Sequence, residues 1–331
     1  MSLLAVGPEG LARGVRRIRS VDLMLLLAVG LWALHLSVAR YILTHGFAPL
    51  AYAGTRYSAA ALIFAAVTGR RENAIRPPRG RLLAVAGAAT LLLYANQLGF
   101  VYAVRMTTAS TVGLISGVTP IVTALTAFLL GIERVTRGFL AAALLSFAGV
   151  GIVAVGSTGG LSASLGGDTL ALSTAFTWGA YSVAIASLMR HWSPCRISAV
   201  VLLATASLLV VTSIPQLLRQ NWSALSTLTW LGFAFAVLGP LVLTNLLWFT
   251  AIDRVGPSHA TLFANLQPFV AVVFAVLLLA ERPTLEQIGG GIAIAVAVVL
   301  AWTRMPALNP SIERPSVSLR PSPCPESSTR S

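Results

Sequence analysis

Polar and aromatic side chains set inside long apolar stretches are the residues of this chain best placed to do chemistry. Trp32 and His35 stand three residues apart and share a helical face, as do Tyr52 and Arg56 at a spacing of four. Tyr94, Asn96 and Gln97 follow, then Trp178 and Tyr181, then Asn245 and Trp248, and last Asn265 and Gln267. Such groups are costly in hydrocarbon and normally face a bundle interior or a water-filled cavity. Aromatic faces and amides together can hold an uncharged or zwitterionic organic solute near mid-membrane.

Each of these residues also has a plainer reading. Arg56 costs about 2.5 to 3.5 kcal/mol at a helix centre, so it either pairs or snorkels, or it touches a solute. His35 is either a packing histidine or a ligand or proton relay. Asn96, Gln97 and Asn245 serve as interhelical hydrogen-bond glue as readily as site residues, and His259 reads as interfacial. Pro120 and Pro268 read as helix bends that free backbone carbonyls. Glu133 and Glu281, each followed by an arginine, read as end-capping charges rather than proton carriers.

Other chemistry lacks its residues. There is no GxxxxGK[ST] loop, no HExxH, no GxSxG and no clustered His/Cys set, so neither cofactor nor metal is expected and a primary pump, protease or other enzyme is disfavoured. Cys195 and Cys324 lie too far apart to suggest a disulfide framework. The glycine-rich stretch 156–167 reads as a linker, and Gly289, Gly290 and Gly291 as tight helix packing, rather than as nucleotide loops.

Composition says where these side chains sit. Of 331 residues 56% are hydrophobic and 10% charged, with a mean hydropathy of +0.82, so most of the chain belongs in lipid. Runs long enough to cross a core roughly 30 Å thick fall at 21–43, 49–67, 82–104, 110–132 and 138–155, and again at 169–189, 197–214, 230–252, 258–280 and 285–302. All 23 basic residues are arginine and the net charge is +13. They lie between apolar runs, not on a soluble face, which argues against a nucleic-acid partner and for membrane orientation. On a ten-span path starting inside, 18 arginines are cytoplasmic and four external, with Arg56 inside a span. Both termini are therefore expected in the cytoplasm, in the inner (cytoplasmic) membrane.

The two sets of five runs are related. A shift of 148 residues carries Ser110 onto Ser258, Pro120 onto Pro268, Glu133-Arg134 onto Glu281-Arg282 and Thr136 onto Thr284, while Trp32 meets Trp178 at 146. Five is odd, so the second half is expected to run through the membrane upside down relative to the first. The expected fold is all-α integral membrane, ten transmembrane helices as two inverted-topology five-helix repeats. The expected division is a basic cytoplasmic arm 1–20, a first repeat 21–155, a linker 156–167, a second repeat 168–302 and a disordered cytoplasmic tail 303–331.

The segments TTASTVGLISGVTPIVTALTAFLLGIERVT (107–136) and PSHATLFANLQPFVAVVFAVLLLAERPT (257–284) resemble the EamA-type repeats of the drug/metabolite transporter superfamily. Each runs from a serine-bearing helix start through a proline to Glu-Arg, with a glycine-rich helix after it. The resemblance covers about residues 20–303. It implies secondary transport of small organic solutes, amino acids or related metabolites, often by export, through alternating access. A passive channel, and more remotely a scaffold or membrane enzyme, are the competing readings. The partners expected are a small-molecule substrate and membrane lipid.

Overall fold

The computed structural model describes residues 20–72, 80–129, 137–156, 161–189, 191–255, 264 and 266–304. Glu133, His259, Asn265, Cys324, the basic arm before Ser20 and the tail read as disordered from residue 305 on lie outside the described residues. Among the described residues there is no strand. The first half contains α1 (Ser20–Thr44), α2 (Pro49–Glu72), α3 (Arg81–Met106), α4 (Ala109–Ser116), α5 (Thr119–Leu129) and α6 (Arg137–Val155). The second contains α7 (Leu161–Met189), α8 (Pro194–Arg219), α9 (Thr227–Ala236), a π-helical turn (Val237–Leu243), α10 (Thr244–Val255), α11 (Gln267–Leu279) and α12 (Leu285–Arg304).

Among the described residues six helices are long and apolar enough to cross a membrane, seven when the bent pair α4 and α5 counts as one span. Shorter apolar helices lie in α6, α11 and α12. Burial is inverted relative to a water-soluble protein. Arg56 is 2% exposed, whereas Leu218 is 83% and Leu144 73% exposed, as lipid requires of an outer surface.

Two sequence expectations are corrected. Run 110–132, expected to be one helix, breaks at Gly117 and Val118, and its parts meet at 41°. Pro120 lacks the N–H that a continuous helix would use there, and so it stands in the first turn of a new helix, where that N–H is dispensable. Residues 161–167, expected to be linker, are the first turns of α7. Gly166 and Gly167 pack against Met106 and Thr107 at the end of α3, and that contact offsets the poor helix propensity of glycine. The π-helical turn contains Pro240, and the widened turn accommodates the missing N–H within one continuous rod.

The halves keep register. α5 and α11 begin at Thr119 and Gln267, and α6 and α12 at Arg137 and Leu285, each pair 148 residues apart. Counterparts pack on each other, α2 on α8 and α6 on α12, and α4 packs on α11, the counterpart of α5. All three pairs are antiparallel. Leu50 N–H donates to Gln216 Oε1 at 2.8 Å near one end of α2 and Thr68 Oγ1 to the Cys195 carbonyl at 3.2 Å near the other. Gly149 of α6 faces Gly290 of α12, and Gly156 faces Thr284 and Glu286. A Cβ on Gly149 would lie 2.8 Å from the Gly290 carbonyl oxygen, and one on Gly290 2.6 Å from that of Gly149. Only glycine permits this approach, and in lipid such backbone contact supplies what the hydrophobic effect cannot.

Candidate functional site

Four helices converge on one buried cluster. α1 supplies His35, α2 supplies Tyr52, Arg56 and Tyr57, α3 supplies Asn96, Gln97 and Phe100, and α7 supplies Thr174 and Thr177. α2 is anchored for this by α8 and the residue that follows it, where Gln216 and Gln220 accept the otherwise orphaned N–H groups of Leu50 and Ala48, each at 2.8 Å. Arg56 sits between four and five residues before the middle of α2, about 7 Å along the axis at 1.5 Å per residue. That depth is well within a membrane core.

Arginine can only donate, and this fixes every other group in the cluster. Nη1 donates to His35 Nε2, so that nitrogen carries the lone pair and the ring proton is on Nδ1. The Tyr52 hydroxyl, 3.0 Å from the same Nε2, therefore also donates to it. Nη2 donates to Gln97 Oε1 at 2.6 Å, which turns Gln97 Nε2 toward Asn96 Oδ1 at 2.8 Å. Asn96 in turn presents Nδ2 to α7, donating to the Thr174 carbonyl at 2.8 Å and to Thr177 Oγ1 at 3.3 Å. One donor-only side chain thus orients a chain of hydrogen bonds from the first half to the second.

Aromatic rings close around the guanidinium. Its central carbon lies 5.1 Å from the ring centroid of Tyr52, 5.3 Å from Tyr57 and 5.8 Å from Phe100, and Phe100 stacks on His35 at 5.5 Å. These contacts favour a cation without neutralising it. Among the described residues no carboxylate bonds Arg56, and its Nε is buried without a partner. With two donors already on Nε2, His35 has no free lone pair there for a proton.

Of the residues singled out by sequence, His35, Tyr52, Arg56, Asn96 and Gln97 meet in this cluster. Trp178 and Tyr181 pack on each other with centroids 5.3 Å apart. Trp32 packs instead on Trp248, at 5.1 Å. Tyr94, Asn245 and Gln267 are half-buried, and among the described residues none of the three joins the hydrogen-bonded chain. Sequence reading missed Tyr57, Phe100, Thr174 and Thr177. Phe100 follows Gln97 by three and Thr174 precedes Trp178 by four, so helical spacing signals both. Tyr57 gives no such signal, because only the reach of the arginine side chain brings the guanidinium to its neighbour's ring.

A second cluster joins the halves at the break before α4. Glu281 Oε1 accepts from Ala109 N–H at 2.9 Å, and Oε2 accepts from Ser110 N–H at 2.9 Å and from Ser110 Oγ at 2.6 Å. Glu281 thus caps a helix of the other half, not an end of its own. Nearby, Arg40 Nη1 donates to the Val104 and Arg105 carbonyls at 2.7 and 2.5 Å, closing the C-terminal end of α3. The charges match the helix dipoles they face.

A bundle that buries arginine and amides while turning its leucines outward is a multi-pass membrane protein. The sequence matches the EamA-like transporter family twice, over residues 19–155 and 165–303. The chain belongs to that family of membrane transporters, within the drug/metabolite transporter superfamily. A solved structure described only as the crystal structure of a protein is 21% identical, with a TM-score of 0.58 over 87% of this chain and 99% of that one. That likeness is one of fold. No curated protein matches.

Proposed function

We propose that this protein is a secondary carrier that moves small organic solutes, amino acids or related metabolites, across the cytoplasmic membrane by alternating access. Two inverted five-span halves would rock about a site centred on Arg56. The observation that carries this reading is the hydrogen-bonded chain from Tyr52 through His35, Arg56, Gln97 and Asn96 to Thr174. It lies inside an apolar bundle and crosses between the halves, where a moving solute would have to be held.

Ten spans in inverted topology are supported by the shared register of α5 with α11 and of α6 with α12, and by the antiparallel pairing of α2 with α8 and of α6 with α12. A two-fold axis perpendicular to the helices makes like pairs antiparallel, and such an axis in the membrane plane inverts one half. The arginine distribution favours cytoplasmic termini. The family resemblance favours export. Aromatic and amide groups around the cluster suit a small solute. Proton transfer through His35 Nε2 would require Arg56 to leave first.

The test is counterflow of a pool of labelled amino acids and small metabolites in proteoliposomes containing wild type, Asn96→Ala or Trp178→Ala. The expected result is saturable counterflow in wild type, reduced at least tenfold in Asn96→Ala. Flux that rises linearly with solute and shows no counterflow would replace the carrier with a channel.

A further inference from the structure

We propose that the solute recognised at this site is a monocarboxylate, and that Arg56 binds its carboxylate through the Nε–H that has no partner in the protein. The inference rests on the reading of the Arg56 cluster as the solute site and adds which chemical group is read there.

Arg56 is permanently charged and 2% exposed. Of its five N–H groups, one on each terminal nitrogen meets an acceptor, and both acceptors, His35 Nε2 and Gln97 Oε1, are neutral. Nε has no partner. A charge held out of water with neutral ligands alone is expensive unless an anion completes its shell, and among the described residues no carboxylate does so. The unpartnered Nε–H is the donor left for that anion, and a charge-assisted hydrogen bond from a guanidinium to a carboxylate is among the strong ones.

The size of the charge narrows the class. The chain has no lysine, and of the arginines near helix ends Arg40 is held on carbonyls of α3 and Arg196 lies over the Trp192 ring. One buried cation matches one negative charge, not a phosphate dianion, which gathers several donors. Nothing among the described residues of the cluster is an anion that would pair with an ammonium. The carboxylate is therefore the required group, and an amine on the solute is dispensable.

The experiment measures thermal unfolding of the full-length protein in detergent with leucine, with 4-methylpentanoate, which lacks the amine, and with leucinamide, which lacks the carboxylate. Leucine and 4-methylpentanoate should both raise the unfolding temperature, and leucinamide should not. Arg56→Lys should weaken the response to the acids by about tenfold, through loss of the Nε–H donor, and Arg56→Gln should abolish it. Stabilisation by leucinamide equal to that by leucine overturns the proposal, as does the absence of stabilisation by either acid. If Arg56→Gln does not fold, the comparison of acid with amide in wild type decides alone. Counterflow of the same three compounds separates the two readings. Acid-specific stabilisation without saturable counterflow removes the carrier and keeps the anion site, whereas saturable counterflow of leucinamide equal to that of leucine keeps the carrier and removes the carboxylate requirement.

Discussion

In the first half the interior polar groups are tied to one another, from Tyr52 and His35 through Arg56 to Gln97 and Asn96. The corresponding positions of the second half carry a different chemistry. At the 146-residue offset that pairs Trp32 with Trp178, His35 meets Tyr181, and at 148 Asn96, Gln97 and Phe100 meet Thr244, Asn245 and Trp248. Any offset from 145 to 148 puts Val201, Leu202, Leu203 or Ala204 where Arg56 stands. At these positions the second half thus has aromatic and amide groups and no cation. Its hydrogen-bonding capacity is also unspent, since the buried Thr244 Oγ1 has no partner and Asn245 makes no side-chain hydrogen bond among the described residues. A repeated fold therefore does not impose repeated chemistry. Backbone register and small-residue contacts are shared, because both halves must pack, while the interior has diverged into one cationic and one neutral pole. A solute with a single charged end would be held in one orientation between them.

Five substitutions press on this contrast through stability, each read as the apparent Tm in detergent. The largest effect is expected for Glu281→Ala, which strips three hydrogen bonds from the start of α4 and should cost about 3 kcal/mol. Glu133→Ala measured beside it asks whether the repeat uses its other Glu-Arg pair in the same way, and a matching loss would extend the symmetry to that junction. Next comes Gln97→Leu against Asn245→Leu. The first leaves Arg56 Nη2 without its acceptor inside the bundle and should cost roughly 2 kcal/mol. The second removes a group outside the hydrogen-bonded chain and should cost well under half of that, so equal losses would erase the distinction between the poles. The smallest effect is a gain. Ala280 ends α11 in the left-handed region, with φ 52°, and turns the chain into Glu281. Ala280→Gly should relieve roughly 1 kcal/mol of backbone penalty, and a loss of stability instead would mean that the alanine side chain matters to the clasp.

Sequence made the polar candidates legible because a buried arginine, histidine or amide stands out against lipid-facing leucine. Spacing along one helix was legible too, which is why Trp178 and Tyr181 were seen as a pair. Partnership across helices was not. Trp32 shares a face with His35, yet it packs on Trp248 of α10 rather than on the Arg56 cluster. The role of Glu281 was half visible: its capping chemistry follows from a carboxylate near a helix end, but the helix it caps lies 172 residues away along the chain at Ala109. The break before Pro120 and the π-helical turn at Pro240 were hidden for a related reason. Proline marks where a helix cannot continue unchanged, and the surrounding packing decides whether it breaks, bends or widens.

By itself the sequence determined that this is a multi-pass helical membrane protein of two related halves in the EamA-like family. Hydropathy, run length and the 148-residue self-similarity are properties of the chain that lipid and helix geometry translate directly. The tertiary structure decided which polar group meets which. Antiparallel packing of α2 on α8 and of α3 on α7 brings together side chains far apart in sequence, and the donor-only character of Arg56 then sets the tautomer of His35 and the orientation of both amides. No local pattern contains that information, because it arises only when four helices close around one charge.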